Sequence, residues 1–209
     1  MTVAATEPIR NRVMLALAYD AALRREELCA LRTDDLDPAH RTLRIRAGTT
    51  KNRLERVVPY SAATGVLLSG YLAHRASLSR ARGPLFLSES RRNHAQPLTL
   101  WTWPKVVRRI ALAADAPRFS THTTRHLSLT DLARMGWELH TIATFAGHRH
   151  TDSTLRHVRT GSGRQARPRH GPHPRPAHRD AHRHEHHRGR SSTVTAPLSG
   201  IPDDVLESR

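Results

Sequence analysis

Apolar positions in the first 160 residues switch between two periods, and the switches divide the chain into elements. Val13, Leu15, Leu17, Ala18 and Ala21 predict the apolar face of a helix over about 10–22. A second helix is expected from about Arg24, carrying Leu28 and Leu31, and residues 33–40 (TDDLDPAH) close it as a turn-rich stretch. The period then becomes two: Leu43, Ile45 and Ala47 alternate with Arg44 and Arg46. GTTKNR reads as a turn and Val57-Val58-Pro59 as a return strand, which predicts a β-hairpin with Lys51 at its tip. Helical patterns return at about 61–79, 98–114, 123–135 and 138–146, with breaks at Arg82-Gly83-Pro84 and at 93–97. The fold class expected is mainly α with a small antiparallel β-sheet, an α+β arrangement, and no internal repeat is visible.

The pattern fails near residue 160. From Gly161 to Arg190 there is no Ile, Leu, Met, Phe, Trp or Val. Such a stretch buries too little apolar surface to offset the entropy of ordering it. Residues 1–160 are therefore expected to form one domain. Residues 161–209 are expected to be an Arg/His/Pro-rich tail, disordered to about 192 and loosely held beyond. Eight of the 16 histidines fall at 157–187, including His182, His184, His186 and His187. Such a tract binds Zn²⁺ or Ni²⁺ weakly at most, and its ordinary reading is a basic tail without a metal.

Charge narrows the partner. The 209 residues carry 34 Lys+Arg against 18 Asp+Glu, a formal net charge of +16. Nucleic acid is the commonest partner of so basic a chain. No apolar run approaches the roughly 20 residues that span a bilayer, and the first twelve residues lack a signal-peptide core. A single cysteine, Cys29, excludes a disulfide framework within the chain. A cytoplasmic protein, nucleoid-associated when bound to DNA, is expected. Only Lys51 and Lys105 are lysines among the 34 basic residues, so each lysine invites scrutiny.

Four motifs follow one another. Ala22-Leu23-Arg24-Arg25-Glu26-Glu27-Leu28 comes first, then Lys51, then His122-Thr123-Thr124-Arg125-His126 at a helix start, then Ala146-Gly147-His148 ahead of residues 151–155. Each is weak alone. Arg24 and Glu27 at i, i+3 would by themselves be a surface helix pair worth a few tenths of a kcal/mol, and Lys51 a solvated turn residue. In this order and spacing they resemble the catalytic domain of the tyrosine recombinases, the phage-integrase type of site-specific DNA recombinase. The family's pattern is an Arg in a G-L-R-x-x-E-L-like segment, a hairpin Lys, H-x-x-R-H and L-G-H. Here Ala stands for the first Gly and for the Leu. The resemblance covers about residues 9–158.

The resemblance implies breakage and rejoining of double-stranded DNA through a covalent 3′-phospho-enzyme intermediate, with self-association on DNA. It also implies a role for each residue. Arg24 and Arg125 would hold the non-bridging phosphate oxygens, since a planar guanidinium offers paired donors to them. Lys51 would protonate the departing 5′-oxygen. His122 would act near the nucleophile as proton acceptor or phosphate donor, and His148 would be a second phosphate contact. The cations are side chains, so the scheme needs no metal and no other cofactor.

The nucleophile position departs from the family. It lies about nine residues beyond the L-G-H histidine, which is His157 here rather than Tyr, and Tyr19, Tyr60 and Tyr71 all lie far upstream. Imidazole can attack phosphorus, but it is shorter than a phenol, and a misplacement of about 1 Å can cost about 10²-fold in rate. A catalytically impaired copy is expected. Two further expectations follow from the family's layout: the N-terminal helical DNA clamp is missing, and the basic tail replaces the family's C-terminal docking helix, as in a truncated, decaying mobile-element integrase. The alternative is a non-catalytic, basic DNA-binding remnant that regulates recombination sites.

Overall fold

The computed structural model describes residues 3–50, 53–148, 154 and 194–195. Helix α1 (Ile9–Asp20) is the centre of the domain, packed against α3 (Ala62–Leu78) on one side and α5 (Thr121–Arg134) on the other. Its inner face is Arg10, Asn11, Val13, Met14, Leu17 and Ala18, pairs of neighbours recurring every three to four residues. Leu15, expected on that face, is only partly buried, and Met14 takes its place. The buried Arg10 guanidinium donates to the Leu87 carbonyl at 3.0 Å, so a cation closes this apolar stripe at its N-terminal end.

The start of α3 is tied to the end of α1. Ser61 caps α3, its Oγ accepting from the Thr64 backbone N–H, while Asp20 accepts from both the Ser61 backbone and its hydroxyl at 2.9 and 2.7 Å. Thr64, Leu68, Tyr71 and Arg75 then make the buried stripe of α3. Between α3 and α4 (Thr102–Ala113) the chain has no regular helix or strand, and side chains hold it. Arg75 donates to the carbonyls of Ser79, Ala81, Pro84 and Leu85, and Tyr71 donates to Leu85. Helix α6 (Leu139–Ala146) packs on α5.

The hairpin forms as expected, with one more strand on each side. Strand β2 (Thr42–Ile45) pairs antiparallel with β3 (Arg56–Pro59), placing Leu43 opposite Val58 and Ile45 opposite Arg56. Strand β1 (Leu36–Asp37), inside the segment expected as a turn, adds antiparallel to β2, and β4 (Val194–Thr195) adds parallel to β3. The sheet order is β1-β2-β3-β4.

Four other boundaries move. Helix α2 (Arg25–Cys29) stops short of Leu31, Ala47 belongs to a 3₁₀ turn and not to β2, α4 begins at Thr102 and not near 98, and α5 begins at Thr121. The single core runs through both helices and sheet: Met14, Leu17, Leu28, Leu43, Ile45, Val58, Tyr71, Phe86, Trp103 and Leu129 share it. Among the described residues no helix is long and apolar enough to cross a membrane. Residues expected as a disordered tail lie outside the described ones, apart from β4.

Candidate active site

The site forms where the C-terminus of α6 meets the start of α2 and the first turns of α5. Helix α6 ends in Gly147 at φ +63°, with the Gly147 N–H bonded to Thr144 and the His148 N–H to Ala143. This 5→2 and 6→1 pair is the left-handed ending that favours glycine. Such an ending leaves carbonyls at the helix terminus that the helix itself cannot satisfy. Three arginines from three elements donate to them.

Arg24, just ahead of α2, reaches the carbonyls of Ala146 and Gly147, both at 3.3 Å. Arg125, on α5, donates to Ala146 at 2.6 Å and to the Ala22 carbonyl. Arg56, the first residue of β3, donates from Nε to Phe145 at 3.0 Å. Residues distant in sequence thus converge on one helix end, and cationic donors suit the negative end of the helix dipole.

One carboxylate organises two of these guanidiniums. Glu27 is 1 % exposed. It accepts from the Arg24 backbone N–H at 2.9 Å and from Arg24 Nη1 at 2.8 Å, and it takes a bidentate pair from Arg56 at 3.1 and 2.8 Å. Arg24 and Glu27 are therefore not the surface pair that their spacing alone suggests. Burial opposes ionisation of Glu27, but Arg56 and then Arg24 outweigh it and hold the carboxyl down at about 2.

Arg125 shows the opposite balance. Its burial, with the positive charges of Arg24 and Arg56 and only Glu27 opposing them, pulls it down to about 9. It stays protonated at neutral pH, in a neighbourhood with three guanidiniums and one carboxylate. Such a site is short of negative charge, and an arriving anion relieves both like-charge repulsion and unfavourable burial.

His148 completes the cluster. Its Nε2 lies 3.0 Å from Arg125 Nη2 and its Nδ1 2.8 Å from the Thr154 hydroxyl. His122 stands in the first turn of α5 and is exposed. Its charge reaches Glu26, whose carboxyl sits below the usual range because backbone and Arg25 contacts outweigh burial. Lys51 and His157 lie outside the described residues. The hydroxyls of two tyrosines are used elsewhere: Tyr19 donates to Asp131 at 2.7 Å and Tyr71 to Leu85 at 3.0 Å, while Tyr60 is buried in the core.

Ala22 sits at φ +45° where the family pattern has glycine, and its carbonyl is the one that receives Arg125. The left-handed turn that glycine would adopt freely is thus kept by a residue for which it is strained.

Two of the site's residues, Arg56 and Thr154, are absent from the motifs. Arg56 left a usable trace. Val58 faces the core, so period two puts Arg56 on the same face, and an inward-facing arginine demands a buried anion. Thr154 left none, being one hydroxyl in a polar segment.

Comparison with known proteins gives the same assignment. Residues 1–161 match the family model described as the phage integrase family. The chain is 31% identical over 147 residues to a tyrosine recombinase of Thermosipho africanus strain TCF52B, covering 70% of this chain and 48% of that protein. It spans about half the length of the curated relatives it matches. Its fold is similar to the crystal structure of XerA recombinase, with a TM-score of 0.66, 23% identity, and coverage of 74% of this chain and 54% of that one. It is also similar to the Tn1549 transposon integrase in complex with a circular intermediate DNA, with a TM-score of 0.60, 18% identity, and coverage of 69% and 52%. The chain belongs to the phage integrase family, with a tyrosine-recombinase catalytic domain matched over residues 1–161.

Proposed function

We propose that this protein carries the phosphate-binding half of a site-specific DNA recombinase or integrase, acting on double-stranded DNA, with strand cleavage impaired at position 157. The observation that carries this reading is the convergence of Arg24, Arg125 and His148 beside the α6 terminus, with a surplus of positive charge. Phosphorane oxygens are the anion such a site suits. They present several acceptors in one plane, and guanidiniums offer paired donors at matching separation. Arg24 and Arg125 hold the non-bridging oxygens, His148 supports them, His122 acts at the entrance, and Lys51 protonates the leaving 5′-oxygen. DNA fits the +16 charge, and the Tn1549 integrase of similar fold is in complex with DNA. Self-association on DNA and a cytoplasmic, nucleoid-associated location belong to the same reading.

Impairment rests on His157 standing where the family has its tyrosine. An imidazole there is shorter than a phenol and stops short of the phosphorus. The second reading, a non-catalytic binder that occupies recombination sites, draws on the same substitution: the phosphate cluster is complete while the nucleophile is changed. In both readings residues 161–192 are a basic tail, and Val194–Thr195 add to the domain's sheet as β4.

Relaxation of a supercoiled plasmid in chelator tests the proposal, because nicking and rejoining release supercoils without a known recombination site. The unmodified protein is expected to be silent and His157→Tyr to relax the plasmid. Relaxation by the unmodified protein overturns the impairment. Silence of both proteins, with Arg125→Ala binding DNA as well as the parent, overturns the phosphate-site reading.

A further inference from the structure

We infer that Arg125 fixes the tautomer of His148, with the ring proton on Nδ1 and an unprotonated Nε2 turned toward the guanidinium, and that Thr154 is the positioning residue that receives that proton. The inference rests on the reading of this cluster as the phosphate site. It deepens that reading by assigning a state to one of its members.

Arg125 decides the state of the ring. A guanidinium has donors only and no acceptor. At 3.0 Å from Arg125 Nη2, His148 Nε2 must be the acceptor, so it carries no proton. A neutral imidazole has one N–H, which then sits on Nδ1. The Thr154 hydroxyl, 2.8 Å away, is the group that receives it. Thr154 is fully buried, so no water competes for that proton, and its hydroxyl oxygen accepts it through a lone pair. Histidines in metal and catalytic sites are held by the same logic: the partner of one ring nitrogen sets what the other can do.

This changes what His148 does before DNA arrives. Its Nε2 is a lone pair that orients Arg125, not a donor waiting for phosphate. Together with the Ala146 carbonyl it occupies Nη2 of Arg125, which holds the guanidinium plane in place. To donate to a phosphate oxygen, Nε2 must first gain a proton. The ring then becomes an imidazolium whose Nδ1–H still points at Thr154, so the ring does not turn. Thr154 thereby confines the change of protonation to the nitrogen that faces the substrate.

The experiment is two-dimensional ¹H–¹⁵N long-range correlation NMR of the full chain without DNA, with His148→Gln identifying the His148 resonances. In the parent, Nδ1 is expected in the pyrrole-like range and Nε2 in the pyridine-like range. The reverse pattern overturns the proposal outright and needs no variant that might fail to fold. Thr154→Ser keeps the acceptor and is expected to keep the parent pattern. Thr154→Val removes it at nearly constant shape and is expected to keep Nε2 pyridine-like, because Arg125 still faces it, while the Nδ1 resonance moves upfield as its proton loses its acceptor. An unmoved Nδ1 resonance in Thr154→Val overturns the assignment to Thr154, and so does loss of the pattern in Thr154→Ser when the protein remains folded. No DNA is present, so failure here is distinct from failure of the plasmid test.

Discussion

Helix α2 has two faces built from the same chemistry, and they behave differently. On the inner face Arg24 pairs with Glu27, whose side chain is 0% exposed and also takes Arg56, itself 4% exposed. On the outer face Arg25 pairs with Glu26 at 2.6 Å, with side chains 35% and 49% exposed. The outer pair is the shorter, yet it interacts through water and holds nothing else in place. The inner pair is shared among three elements, and removing Glu27 leaves the buried Arg56 without its counter-charge. Contact distance is therefore a poor guide to the worth of an ion pair, and what surrounds the pair decides it.

The sharpest way to break the comparison is Glu27→Gln. It leaves Arg56 buried without its counter-charge, and a loss of about 3–5 kcal/mol in denaturant unfolding is expected. A loss below about 1 kcal/mol would mean that the inner face is as forgiving as the outer.

The same group sets the next effect. Glu27 titrates near 2 in the folded protein against an ordinary 4.5. The folded state therefore binds the proton less well than the unfolded chain. The stabilisation is complete above about pH 4.5 and disappears as pH falls through about 2, amounting to roughly 3 kcal/mol. The stability difference between the parent and Glu27→Gln should shrink across that window, and a difference independent of pH would refute the assignment.

Gly147→Ala comes third. A Cβ there lies 2.8 Å from Arg56 Nη1, and φ is +63°. A loss of about 1–2 kcal/mol in thermal unfolding is expected. Ala22→Gly is its mirror image. Relief of the left-handed strain is offset by loss of a buried methyl and by added freedom in the unfolded chain, so the net change should stay within about 1 kcal/mol. If Gly147→Ala were as mild as Ala22→Gly, Arg56 would not be held where the cluster places it. The smallest effect is on the outer face, where Glu26→Gln should change stability by less than about 0.5 kcal/mol.

Much of this was legible in the pattern of residues. Periodicity gave the helices to within a few positions, because an amphipathic helix must repeat its apolar face whatever it packs against. Strand β1 was not legible, since two residues are too few to show alternation. The Arg24 segment, H-x-x-R-H and A-G-H were visible as motifs, and the structure brings Arg24, Arg125 and His148 of these together while His122 remains exposed beside Glu26.

By itself the sequence determined where the helices and the hairpin lie and that a polyanionic partner is the expected one, while its motifs, by their resemblance to a known family, pointed to the residues worth examining. The elements follow from local spacing and the partner from summed charge. Only the tertiary structure decided that Glu27 is buried, that Arg56 is its main partner, that Ala22 rather than glycine carries the left-handed turn, and that Thr154 reaches His148. The reason is physical: a side chain's protonation state and energetic worth depend on neighbours brought from distant positions, and on the loss of water that their packing causes.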